Sequence, residues 1–221
     1  MYKHIKGTRL SPRKLNQIIT EFVFNTPARV CAEKLGIHRN TVNLWYQRMR
    51  KGIVELPDPE QFSGEVEIDE SYFGKKKTGK GRSGTVQGQV AVFGLRERKS
   101  GLVIAEVVRG TSAKDLMPLI EKHVKKGSTI YSDGHGAYYH LTKLGYRHHV
   151  VYHDHTFVDQ QVIHTNSIES FWAYAKHTLR PLKGLPYKTY PEHIKMTQKR
   201  YNTFVNKKLR LTLRRILQNH H

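Results

Sequence analysis

The spacing of apolar residues changes twice along the chain, and the changes divide it into three segments. Up to Lys51, Leu15, Ile18, Ile19 and Phe22 recur at helical spacing, and Pro27 opens a second helix. Gly52 and the Pro57-Asp58-Pro59 cluster then read as a linker. From Glu65 the period shortens: Val66 and Ile68 alternate with Glu65, Glu67 and Asp69, which predicts a strand with one buried face and its carboxylates on the polar one. Residues 89–97 and 102–108 read as two more strands, joined by a turn at Lys99-Ser100-Gly101. An amphipathic helix over 112–124 points Leu116, Leu119 and Ile120 inward. A short strand over 128–132 ends at Asp133-Gly134, and a short helix over 138–144 leads to a fifth strand over 147–152. A helix over 167–179 stops before Pro181. Two basic helices follow over 187–218, opened by Pro191 and broken around Asn206. The order β-β-β-α-β-α-β-α predicts a mixed α/β domain of three meandering strands followed by crossover units. The expected organisation is a small all-α domain over 1–51, a linker over 52–64, the α/β domain over 65–182 and a basic helical tail over 183–221.

Composition narrows the setting. The 221 residues carry 38 Lys plus Arg against 18 Asp plus Glu, a formal charge of +20. Residues 1–60 hold 11 basic and 5 acidic side chains, 61–170 hold 15 and 12, and 171–221 hold 12 against Glu192 alone. The acids are thus concentrated between two basic flanks, a pattern suited to a polyanion-binding protein that needs carboxylates at specific places. No apolar run approaches the roughly 18 residues of a membrane span, and the longest, 102–108, is broken by Glu106. In the tail, Tyr201, Phe204 and Ile216 form no broad apolar face for a membrane surface. The first ten residues are too polar for a secretory signal, so a cytoplasmic protein is expected. A single cysteine, Cys31, excludes a disulfide framework and a multi-cysteine zinc ribbon.

Residues 28–50 resemble a helix-turn-helix. Ala32 is small where two helices cross, and Gly36 supplies the left-handed residue of the turn. Ile37, Val42 and Trp45 close a small core. The second helix then offers His38, Arg39, Asn40, Asn43, Gln47 and Arg48 to a DNA groove.

In the middle segment three acids fall where this topology converges them. Asp69 lies on the first strand, Asp133 ends the fourth, and Glu169 stands in the first turn of the last helix. Neighbouring first and fourth strands present two carboxylates side by side, and a helix packed across their ends adds the third. Such an oxygen-only set suits Mg²⁺ or Mn²⁺, and two ions can bind one phosphodiester. Glu169 also has a plainer role open to it, because Asn166-Ser167-Ile168-Glu169 reads as a capping box.

The acids are spaced D-(63)-D-(35)-E. Three segments carry them: Val66-Glu-Ile-Asp69-Glu-Ser-Tyr-Phe-Gly74, Tyr131-Ser-Asp133-Gly-His-Gly-Ala-Tyr138 and His164-Thr-Asn-Ser-Ile-Glu169-Ser-Phe-Trp172. Together they resemble the DDE transposases and integrases, and more narrowly the ISXO-type transposases of small bacterial insertion sequences, over residues 60–205. The resemblance implies an RNase H-like five-stranded sheet with flanking helices, preceded here by the helix-turn-helix domain of a short form without the zinc ribbon of many relatives. It implies cleavage at the element's 3′ ends and strand transfer to target DNA, with Asp69, Asp133 and Glu169 holding two Mg²⁺ ions per site (Mn²⁺ substituting) and Asn166 as the alternative third ligand. Relatives carry a basic residue seven positions after the glutamate, matched by Lys176. Seven steps of about 100° return Lys176 to within roughly 20° of Glu169, where it can hold a DNA phosphate. Trp172 shares that face as a DNA-contact candidate. The implied partners are double-stranded DNA and a second copy of the chain, in a bacterial, nucleoid-associated setting.

The basic run containing Lys75, Lys76 and Lys77 nearly spells a P-loop, but Gly81 follows Lys80 where Mg²⁺ coordination needs Ser or Thr. It reads as a basic hairpin near DNA, with no nucleotide cofactor. The 14 histidines, His148, His149, His153, His155 and His164 among them, lack cysteine partners and metal-ligand spacing. A nuclease that never joins ends and a non-enzymatic DNA-binding regulator are the rival readings.

Overall fold

In a computed structural model of the chain, residues 9–74, 89–151, 166–180, 185–205 and 209–219 are described. They fall into two compact units, one formed by Met1–Pro57 with Asn202–His221 and the other by Asp58–Tyr201.

The first unit is helical. Ser11 accepts a hydrogen bond from the Lys14 amide and Pro12 occupies the first turn, so α1 starts cleanly and runs over Pro12–Val23. Helix α2 spans Ala28–Leu35 and ends on Gly36, whose φ of 59° is the left-handed cap that a side chain resists. Helix α3, Arg39–Val54, starts at His38, whose Nδ1 accepts the Asn40 amide at 3.3 Å.

 Glu21 is buried on α1. Its carboxylate pairs with Lys34 Nζ of α2 at 2.5 Å and accepts the Thr26 hydroxyl at 2.8 Å, and the lysine bond holds its pKa below the ordinary carboxylate range. Helix α7, Leu209–Asn219, packs on α1 and α3: a Cβ on Gly52 would stand 2.0 Å from Ile216 Cγ2, so glycine is what admits this contact.

The second unit is built on a five-stranded sheet in the order β3-β2-β1-β4-β5. Strands β1 (Glu65–Phe73), β2 (Val90–Glu97) and β3 (Val103–Val108) form an antiparallel meander, while β4 (Thr129–Ser132) and β5 (Arg147–Val150) continue parallel to β1. This is the five-stranded mixed sheet expected of the middle segment. Val66 and Ile68 of β1, Phe93 and Leu95 of β2, and Leu116 and Ile120 of α4 (Ala113–His123) share one core. The segment after β4 is a 3₁₀ turn over Gly136–His140, which starts earlier and winds tighter than the expected helix; it buries Ala137 and Tyr138 on that core. The fifth strand is described as far as Val150.

The expectation that β1 has a solvent-facing polar side is corrected. Helix α5, Asn166–Leu179, covers that side, and Glu67 is only 1% exposed. A buried carboxylate needs partners, and Glu67 has Arg98 Nε at 2.8 Å and two groups of α5.

The tail contains two helices that fall in different units. Helix α6 spans Tyr190–Val205, and its part up to Tyr201 belongs to the sheet unit, whereas α7 belongs to the helical unit. Lys195 and Lys199 pair with Asp58 at 2.7 and 2.9 Å. Burial pushes the Asp58 carboxyl up, but the two lysines outweigh it and hold the group at about 2. Gln198 accepts a hydrogen bond from the Ala105 amide at 3.3 Å. These lysines serve the fold, which removes them from a solvent-facing DNA grip.

Candidate active site

Parallel pairing of β1 with β4 sets Glu67 opposite Tyr131. Two residues further along stand Asp69 on β1 and Asp133 just past the end of β4. Beyond β4 the chain turns: Asp133 Oδ1 accepts the His135 amide at 3.1 Å, and the Ser132 hydroxyl lies 2.8 Å from both the Asp133 carbonyl oxygen and His148 Nε2. Burial lowers the pKa of His148.

Asp69 is held from two directions. Its Oδ1 accepts the Glu70 amide at 2.8 Å and its Oδ2 accepts the Trp172 indole N–H at 2.9 Å. The Trp172 ring lies over Gly94, the residue paired with Asp69 on β2, and a Cβ there would stand 2.6 Å from the ring. Glycine therefore opens the space in which the indole reaches Asp69. Trp172 is 5% exposed and committed to this carboxylate, which corrects its expected place among DNA contacts. The reason is its phase: Ile168, Phe171, Trp172 and Ala175 form the buried stripe of α5, whereas Glu169 and Lys176 are exposed.

The site is strongly acidic from within. Burial raises the pKa of Asp69 most, the Glu70 amide and Trp172 pull it down, and the charges of Asp133 and Glu169 push it up again. Those repulsions place Asp133 and Glu169 each within electrostatic reach of Asp69. Among the described residues no three His, Cys, Asp or Glu side chains gather closely enough to form a ready metal cluster. The donor chemistry nevertheless fits divalent magnesium or manganese: hard carboxylate oxygens whose mutual repulsion a cation would relieve. Asn166 opens α5, and its side chain lies outside the described set, as do Lys75, Lys76, Lys77, His153, His155 and His164.

Two acids of β1 were not singled out by the sequence. Glu70 faces the core side, where burial, with the charges of Asp133 and Asp69, lifts its carboxyl to about 7. The Tyr138 hydroxyl beside it lowers that pKa, yet the hydroxyl and Glu70 Oε1 are both buried outside normal hydrogen-bond geometry. The other is Glu67, which accepts the Ser167 hydroxyl at 2.5 Å and the Ile168 amide at 3.0 Å. Its signal in the sequence is only that it stands two residues before Asp69, on the same strand face.

In the helical unit, Arg39, Asn40, Asn43 and Gln47 are exposed along one side of α3, opposite buried Val42, Trp45, Tyr46 and Met49. Arg48 lies 4.9 Å over the Trp45 ring.

Residues 61–194 match the family model of the ISXO2-like transposase domain. An uncharacterized transposase-like protein of Haemophilus influenzae is 28% identical over 100 residues, covering 45% of this chain and 80% of that protein. An uncharacterized protein in transposable element ISH50 of Halobacterium salinarum is 25% identical over 203 residues, covering 85% of this chain and 68% of that one. Among solved structures, the catalytic core domain of BIV integrase aligns with a TM-score of 0.40 and 15% identity, covering 62% of this chain and 81% of that one.

Proposed function

Because the chain belongs to the family of ISXO2-like transposase domains, we propose that it cuts DNA at the 3′ ends of an insertion sequence and joins those ends to target DNA. Asp69 and Asp133 hold divalent metal, with Glu169 or Asn166 completing the set. When bound, two Mg²⁺ ions would activate the attacking oxygen and stabilise the leaving one. Trp172 fixes the rotamer of Asp69, so that one carboxylate meets the site already oriented. Lys176, exposed on α5, grips a phosphate of the strand being cut. The exposed side of α3 enters a groove with Arg39, Asn40, Asn43 and Gln47, while Arg48 flanks it. Joining two ends in one event requires at least a dimer on DNA.

The observation that carries this reading is Asp69 on β1, oriented by the Trp172 indole of α5 at 2.9 Å and repelled by the charges of Asp133 and Glu169. Its test is cleavage of DNA bearing the element's terminal repeats. Asp69→Asn and Asp133→Asn should each lose about a hundredfold or more in Mg²⁺-dependent nicking while binding the ends with unchanged affinity. Full-rate nicking by either variant would remove that aspartate from the metal site.

A further inference from the structure

Glu169 stands in the first turn of α5, where a helix has amide donors to satisfy, and a capping role would compete with a role in metal binding. The structure gives that task to another acid. Glu67, 101 residues before Ile168, accepts the Ile168 amide at 3.0 Å and the Ser167 hydroxyl at 2.5 Å. The same carboxylate receives Arg98 Nε at 2.8 Å, and Arg98 itself lies 3.8 Å over the Tyr131 ring. Glu67 is thereby fixed on three sides in a nearly waterless place, 1% exposed. One residue away along β1 from this clamp is Ile68 of the core, and two away is Asp69. One residue along α5 from Ile168 is Glu169.

We infer that Glu67 is a positioning residue for the metal site: it ties the start of α5 to β1 so that Glu169 is set against Asp69 and is relieved of capping its own helix. The inference rests on the reading of Asp69, Asp133 and Glu169 as ligands, and it adds a residue that touches neither metal nor DNA. A carboxylate is required rather than any acceptor, because the group takes a backbone amide, a hydroxyl and a guanidinium at once. Glutamine would keep the volume, but its amide nitrogen cannot accept from Ser167 or Arg98.

The test is Mn²⁺ affinity of the full chain without DNA, followed by calorimetry, with thermal stability measured alongside. Glu67→Gln should weaken Mn²⁺ about tenfold, within the range seen when outer partners of metal ligands are changed. Ser167→Ala, which leaves the Arg98 pair intact, should weaken it several-fold. In a Glu169→Gln background neither change should weaken Mn²⁺ further, since Glu67 acts through Glu169. A lower melting temperature with unchanged Mn²⁺ affinity would overturn the inference, as would losses that add in full to that of Glu169→Gln. Should Glu67→Gln fail to fold, Ser167→Ala decides: unchanged affinity in that variant overturns it. If Glu169→Gln itself leaves Mn²⁺ affinity intact, the assignment of Glu169 as ligand falls, and this inference with it. If Glu169→Gln weakens binding and Ser167→Ala and Glu67→Gln do not, only the positioning role falls.

Discussion

Burial first, then the charges of Asp133 and Asp69, lift the Glu70 carboxyl to about 7, against an ordinary value of 4.5. A raised acid favours the folded state only while it is protonated. Stability from this group is therefore present below about pH 4.5 and lost as pH rises through about 7, where the folded chain finally ionises it. The rise from 4.5 to about 7 corresponds to roughly 3 kcal/mol, at 1.36 kcal/mol for each tenfold change in proton affinity. Glu70→Gln should consequently raise the melting temperature at pH 8 in a chelating buffer and change it little at pH 4. Equal effects at both pH values, measured by thermal denaturation, would contradict the account. Glu67 is buried and Glu70 partly buried on β1, but Glu67 meets a guanidinium and two donors of α5, whereas Glu70 meets other acids and a phenol.

Helix α5 joins the site's parts, and it can lie where it does because Gly94 leaves room beneath Trp172. A Cβ at Gly94 would stand 2.6 and 2.7 Å from two ring carbons of Trp172 and 3.3 Å from Ile168 Cδ1. Gly94→Val should therefore push α5 off the sheet, costing about 1–3 kcal/mol of stability, and should free Asp69 from its indole partner. The check is chemical denaturation together with Mg²⁺-dependent nicking; wild-type values for both would show that the indole contact is dispensable. The elements themselves were legible from local pattern. Alternating Val66 and Ile68 marked β1, and the spacing of Leu116 and Ile120 marked α4. The coverage of β1 was not legible, because what buries Glu67 comes from Arg98, 31 residues on, and from Ser167, 100 residues on. A strand reads as half-exposed until the helix that covers it is known. The same holds for Trp172: helical phase alone sets it near Glu169, and its packing on Gly94 shows that it faces the sheet.

Across the whole molecule the charge of +20 is spent in more than one way. Lys195 and Lys199 neutralise Asp58 and Lys34 neutralises Glu21, so part of the basic flanks holds the fold. Arg39, exposed on α3, and Lys176, exposed on α5, face solvent and serve the proposed grip on DNA. The order of the acids in the sequence anticipates that Asp69 and Asp133 belong to neighbouring strands, because β1 and β4 pair in parallel. The dependence of Glu169 on Glu67 did not follow from it. One acidic site is proposed to carry out both cutting and joining. This is tested most directly by supplying the full chain with a pre-cleaved terminal repeat and a target plasmid. Covalent joining should appear with Mg²⁺ or Mn²⁺, vanish in chelator and vanish in Asp69→Asn. Cutting of uncleaved ends without any joining, or joining that persists in chelator, would contradict it.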